Sequence, residues 1–329
     1  MLKPIANGIY RVELPLPWPP WTVNSYIIDD SSLTLIDAGA GSEEALEILE
    51  TGLGDLGYSI KEVERIIITH AHIDHYGLGT MITNFSSAKV FFHSYEKDRL
   101  MSRMDKYWKQ NQKKICVIFD ELDLPEEVLK HFQSLVVQYC DLALPFESSQ
   151  VRELSNRQKI PFDHFTLEVI HLPGHSPGHI ALCDTKKRFI FSGDLLLLKS
   201  LPSPVIDLDW GSPWAPQYKG MVAQLGSIKK LEALKVKQVF PGHWEPFDQS
   251  GYFIDQFFKG IEKSQEEILS LVGREEKTVY ELTREAYGGM SDMAMFYYLP
   301  DVFGTLSLLV SQGKLLAELR GGKAFYRAV

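Results

Sequence analysis

Cysteine is scarce in this chain of 329 residues. Cys116, Cys140 and Cys183 are too few and too scattered for a disulfide framework or a Cys-x-x-Cys zinc site, so each reads as a small buried hydrophobe. Basic residues are in deficit, 34 Lys and Arg against 43 Asp and Glu. The formal charge of −9 argues against broad contact with nucleic acid or an acidic membrane surface. No apolar run approaches the length of a membrane span, and the stretch 1–10 lacks the apolar core of a signal peptide. The expectation is a cytoplasmic protein with no membrane partner. The glycine turn at Gly39 and Gly41 lacks the third glycine of a dinucleotide fingerprint, and no Ser-His-Asp or Cys-His nucleophile motif is evident.

What is present is a dense group of metal-ligand side chains. Ile66, Ile67 and Ile68 form a β-branched run that reads as a buried strand, and it delivers His70, His72, Asp74 and His75 within six positions. An extended chain would put 70, 72 and 74 on one face with 75 opposed, and a helix would pair 70 with 74 and 72 with 75. Neither element aims all four at one ion, so a loop serving two adjacent metal positions is expected. Imidazole and carboxylate suit zinc, iron or manganese.

Further strands end in the same way. The run at 166–172 leads to Gly174-His175 and on to His179, the run at 188–193 to Asp194, and the run at 237–240 to Gly242-His243. Glycine lets the backbone turn sharply and approach a site closely. Leu33 to Asp37 is a strand closed by an acid, and 43–52 reads as an amphipathic helix capped by Ser42, which is strand–helix–strand order. Ile9–Leu14 and Ser25–Ile28 read as a hairpin around a proline-rich connection that carries Trp18 and Trp21. The segment 95–155 turns helical, with Val128, Leu129, Phe132, Leu135, Val136 and Tyr139 at helical spacing; scaffold is its simplest role. The loop after Asp194 carries Trp210 and Trp214. With Trp18, Trp21 and Tyr76 they are candidates for an aromatic substrate wall, with core packing the competing reading.

His-x-His-x-Asp-His at 70–75, Gly-His at 175, Gly-Asp at 194, Gly-His at 243 and Asp37 in Leu-Ile-Asp-Ala-Gly together resemble the metallo-β-lactamase superfamily, over roughly residues 5–250. The resemblance implies an α/β fold, an αββα sandwich with a two-metal site at its edge. It assigns one divalent ion to His70, His72 and His175, the other to Asp74, His75 and His243, and Asp194 between them. Zinc is the expected metal, with iron and manganese as alternatives. Asp37 would accept a hydrogen bond from a ligand imidazole, and His179 would support the cluster from behind. β-Lactamases of this superfamily usually replace the residue at His75 or at Asp194; both are retained here, which points away from antibiotic hydrolysis. Tyr76 stands where many relatives carry a small residue, and its hydroxyl could polarise a substrate carbonyl.

The resemblance therefore implies a metal-dependent hydrolase in which a metal-bridging hydroxide attacks a small ester, thioester or lactone, in the style of glyoxalase II, with Asp74 relaying a proton. A phosphodiesterase or endoribonuclease is the alternative, and a mononuclear iron persulfide dioxygenase a third. The catalytic domain is expected over 1–250 with the helical insertion at about 95–155. Residues 251–329, helices followed by a hairpin at 315–328, resemble the winged-helix module that follows this fold in beta-lactamase-like endoribonucleases. The tail 252–329 carries nine basic and eleven acidic residues, and 301–312 has no Arg or Lys, so a structural or homodimer-forming role is expected over nucleic-acid reading. The expected partner is a small molecule.

Overall fold

The computed structural model describes residues 2–200, 204, 219–273, 275–289 and 298–329; Trp210 and Trp214 lie outside the described residues. A first sheet runs in sequence order through β1 (Lys3–Ala6), β2 (Ile9–Pro15), β3 (Thr22–Ile28), β4 (Thr34–Ile36), β5 (Arg65–Ile67), β6 (Lys89–His93) and β7 (Val151–Leu154). Its first four strands are antiparallel neighbours and β4 to β7 are parallel. Parallel neighbours need a crossover. Helix α1 (Glu43–Asp55) makes the one from β4 to β5, and its Ser42 cap accepts from the Ala45 amide at 3.1 Å. Two short helices, α2 (Ile73–Tyr76) and α3 (Gly79–Phe85), follow β5.

The insertion between β6 and β7 comprises α4 (Lys97–Leu100), α5 (Met104–Glu121) and α6 (Glu126–Tyr139). A second sheet is ordered β13 (Phe247–Asp248), β12 (Gln238–Pro241), β11 (Phe189–Gly193), β10 (Ile180–Asp184), β9 (Thr166–His171) and β8 (Lys159–Pro161). Helices α7 (Gly220–Leu234) and α8 (Ser250–Val272) pack on its outer side.

The two sheets meet face to face. Tyr26, Ile28, Ile36 and Ile67 of the first pack against Val169, Leu182, Phe191 and Phe240 of the second. Burial of each such side chain is worth roughly 1.5–3 kcal/mol. The outer face of the first sheet is covered by α1 and α3 through Leu49, Leu53 and Ile82. The result is the expected four-layer order: helices, sheet, sheet, helices.

The C-terminal elements are α9 (Val279–Ala286), α10 (Leu299–Ser311) and a three-stranded sheet ordered β14 (Lys277–Thr278), β16 (Lys323–Ala328), β15 (Leu315–Arg320). The expected hairpin at 315–328 is formed, and Thr278 opens α9 with a capping box closed by Glu281. Two features had no sequence signal. Helix α8 serves two cores: Ile254, Phe257 and Ile261 pack on the second sheet, and Ile268 and Val272 join the C-terminal core. That C-terminal core also takes in Ile115, Ile118, Phe119 and Leu122 of the insertion. Insertion and tail thus share one interior. Among the described residues no helix is long and apolar enough to cross a membrane.

Candidate metal centre

Strands β4, β5, β11 and β12 all point their C-terminal ends at one edge of the sandwich, where Asp37, His70, Asp194 and His243 follow them. Strand β9 runs parallel to β11, because two antiparallel steps separate them, and its continuation carries His175. The segment 70–75 is only half the expected loop. His70 and His72 precede helix α2, and Asp74 and His75 ride on its single turn. That kink solves the facing problem that neither a strand nor a helix alone could solve.

Three ring nitrogens converge first. His72 Nδ1 lies 2.9 Å from His70 Nε2 and 3.0 Å from His175 Nε2. A second trio forms beside it, with Asp74 Oδ2 3.8 Å from His75 Nε2 and 3.5 Å from His243 Nε2. Asp194 stands between the two. Its Oδ1 is 3.4 Å from His75 Nε2, and its Oδ2 is 3.6 Å from His175 Nε2 and 3.2 Å from His243 Nε2. The sets His70/His72/His175, His70/His75/Asp194 and Asp74/His75/His243 each place their polar atoms within 4.8 Å of one another.

Surrounding acceptors fix three of the five imidazoles. Asp37 Oδ2 is 2.8 Å from His75 Nδ1, and the Thr22 carbonyl is 2.7 Å from His243 Nδ1. The Thr69 hydroxyl donates to Asp37 at 2.8 Å, which leaves its oxygen to accept from His70 Nδ1 at 3.0 Å. In each case Nδ1 faces an acceptor, which leaves Nε2 turned into the cluster. His179 is fully buried, and its Nε2 accepts from the Asp194 amide at 3.1 Å, so it holds the backbone of Asp194. The approach is close enough that Gly242 must lack a side chain: a Cβ there would sit 2.2 Å from Asp194 Oδ1.

The electrostatics call for a cation. Burial and the neighbouring imidazoles hold His70 and His72 well below the usual histidine range. Burial works against charge on His75 and His243 too, yet Asp194 pushes both up, His243 to about 10. Asp74 is likewise lowered to about 2, its burial outweighed by His75 and His243. Buried His75 Nε2 and Asp194 Oδ1 meet only in a long 3.4 Å approach and make no well-formed hydrogen bond. Orphaned atoms of that kind signal a missing ligand. Divalent ions fit, because they would replace the protons that the carboxylates hold on His75 and His243.

Beside the cluster lies a cavity of about 390 Å³, within the range of small-molecule sites. His72 and Asp74 are in its wall, with Trp18, Tyr76 and Arg99. Tyr76 is buried against Phe146, and burial raises its hydroxyl to about 12. Trp21, 61% exposed, is not among the residues lining the cavity; the second tryptophan of the proline-rich connection faces solvent. The aromatic wall comes largely from the insertion instead, through Tyr107, Trp108, Phe119 and Phe132.

Glu96 has a role that no sequence pattern announces. Its buried carboxylate accepts from the Ser176 hydroxyl at 2.6 Å and the Gly178 amide at 2.7 Å, and so holds the turn that carries His175. A lone Glu at the start of a helical stretch gave no hint of it. Thr22 acts through its carbonyl, which no side-chain pattern reveals.

Residues 18–243 match the family model of the metallo-beta-lactamase superfamily. The chain is 22% identical to the probable metallo-hydrolase YqjP of Bacillus subtilis over 98% of this chain and 99% of that one. It is 26% identical to the human acyl-coenzyme A thioesterase MBLAC2 over 76% of this chain and 83% of that one. A beta-lactamase domain protein from Burkholderia ambifaria superposes with a TM-score of 0.83 at 20% identity, over 100% of this chain and 94% of that one, and so has the same fold. With most of its length matched and His/Asp groups suited to binding metal ions, the chain belongs to the metallo-beta-lactamase superfamily and is a metal-dependent hydrolase.

Proposed function

We propose that the chain hydrolyses an acyl thioester or ester at a two-metal centre. His70, His72 and His175 would hold one divalent ion, Asp74, His75 and His243 the other, and Asp194 would bridge them. The carrying observation is the placement of Asp194, whose two oxygens reach toward nitrogens of both trios at 3.2–3.6 Å. Nitrogen and carboxylate donors favour zinc. Bound there, such ions supply an activated water near neutral pH and positive charge beside the developing oxyanion.

The remaining work falls to the chain. Asp37, Thr69 and the Thr22 carbonyl keep three imidazoles in the tautomer that faces the cluster. Tyr76, protonated up to about 12, can donate a hydrogen bond to a substrate carbonyl oxygen but cannot act as a base near neutral pH. Water oxygen adds to the carbonyl carbon, the acyl–sulfur or acyl–oxygen bond breaks, and the departing group takes the proton the water gave up, relayed by Asp74. The relative named a thioesterase supports a thioester over a lactone. The apolar cavity beside His72 and Asp74 speaks against a phosphodiester backbone. A small-molecule substrate, a cytoplasmic setting and a winged-helix-like scaffold for the tail belong to the same reading.

The test pairs metal analysis with turnover. Two zinc ions per chain and hydrolysis of thioesters are expected. One iron with oxygen consumption, or cleavage of phosphodiesters alone, would overturn the reading.

A further inference from the structure

We infer that the cavity is an acyl-chain chamber: the substrate carries an apolar acyl group of medium length, seated between the insertion and the first turn of α10. This rests on the acyl-hydrolase reading and deepens it. The cavity is continuous with the metal centre, because His72 and Asp74 form part of its wall. Ile115, Ile118 and Phe119 of α5, Leu122 just after it, Phe132 and Leu135 of α6, and Leu299 and Pro300 of α10 form much of the remainder. These groups offer no hydrogen bonds, so they reward burial of hydrocarbon and nothing else. A sugar, a peptide or a nucleotide would meet mostly hydrocarbon there, with Arg99, Ser102, Tyr107, Trp108 and Tyr139 as the polar exceptions away from the metal centre.

Volume sets the length. A methylene displaces roughly as much space as a water molecule, whose share of the liquid is about 30 Å³, so a cavity of about 390 Å³ holds about thirteen such groups at most, and a chain on the order of ten carbons once the reacting carbonyl and imperfect filling take their share. The reacting carbonyl then lies at the His72/Asp74 wall and the leaving group stays outside the chamber. Specificity is thereby lodged in elements that the catalytic cluster does not need.

The experiment uses the full-length, zinc-loaded protein and one leaving group with acyl chains from acetyl to palmitoyl. Each added methylene should raise kcat/KM about threefold to fourfold until the chamber is full, near ten carbons, after which the gain stops. Leu135→Trp should lower the decanoyl-to-acetyl ratio of kcat/KM, and Phe132→Ala should move the optimum to longer chains. Opposite shifts separate pocket effects from general loss of folding, which lowers every chain length alike. Decanoic acid binding, measured by calorimetry, should saturate at one site and weaken in Leu135→Trp. Acetyl turnover with no chain-length dependence overturns the chamber and leaves the hydrolase standing. Saturable decanoate binding without turnover of any ester or thioester does the reverse, and neither binding nor chain-length dependence removes the chamber altogether.

Discussion

Asp37 and His75, 38 positions apart, share a buried hydrogen bond of 2.8 Å between Oδ2 and Nδ1. Asp37 also accepts from the Thr69 amide and hydroxyl, both at 2.8 Å, so one carboxylate steadies His75 directly and His70 through Thr69. Asp37→Asn should weaken zinc affinity about 10–100-fold, as loss of such a supporting partner does elsewhere. Competition with a chromophoric chelator measures it. Unchanged affinity in a folded variant would show that the contact is incidental.

His70→Ala and Asp194→Ala remove donors from the two ends of the cluster. Each should lower metal content and cut hydrolysis by at least about 10²-fold. A folded variant that stays active without metal would end the two-metal account. Zinc per chain and turnover, read on the same samples, provide the comparison.

Gly242 has no room for a methyl group: the added Cβ would meet Asp194 Oδ1 at 2.2 Å and His75 Cε1 at 2.7 Å. Gly242→Ala should therefore disturb both metal positions and cost about 1–3 kcal/mol of stability. Thermal melts with and without zinc separate the two effects. Most of the zinc-induced gain in Tm should vanish.

Glu96→Ala leaves the Ser176 hydroxyl and the Gly178 amide without their buried acceptor. A loss of about 1–3 kcal/mol is expected. Because this turn carries His175, kcat should fall as well, and Glu96→Gln, which keeps an acceptor oxygen, should recover part of both. Equal damage from the two substitutions would mean that the negative charge matters more than the hydrogen bonds.

Metal-free protein should respond to alkali in a particular direction. His243 has its folded pKa raised from 6.5 to about 10, so its stabilising contribution is complete below pH 6.5 and is lost as pH climbs toward 10. Asp74, lowered from 3.8 to about 2, contributes above pH 3.8 and loses its effect as pH falls toward 2. The metal-free Tm should thus decline between pH 7 and 10, by about 2–4 °C for each kcal/mol lost. Zinc-loaded protein should hold its Tm over that window, since deprotonated imidazoles are what the ion requires. Parallel declines with and without zinc would contradict this.

Much of this arrangement was legible in the residues because ligands have few chemical types and follow strands. The seven candidates His70, His72, Asp74, His75, His175, Asp194 and His243 come together as their places at the ends of strands suggested, and Ser42 caps the helix it precedes. What stayed hidden acts through groups that carry no pattern, namely the Thr22 carbonyl and the Glu96 carboxylate. The periodic apolar residues of the insertion were visible, but a helix face looks the same whether it meets a core or lines a space. Phe119 does both. The proline-rich connection raised the opposite difficulty: its two tryptophans look equivalent on paper, and only Trp18 turns inward toward the cavity.

Because Leu299 and Pro300 lie far beyond His243 in the chain, the last wall of the cavity and the last member of the cluster are written in separate stretches of the polypeptide. Substitutions at 299 and 300 can therefore reshape the space while every imidazole and acid stays in place, and the two parts are free to diverge independently.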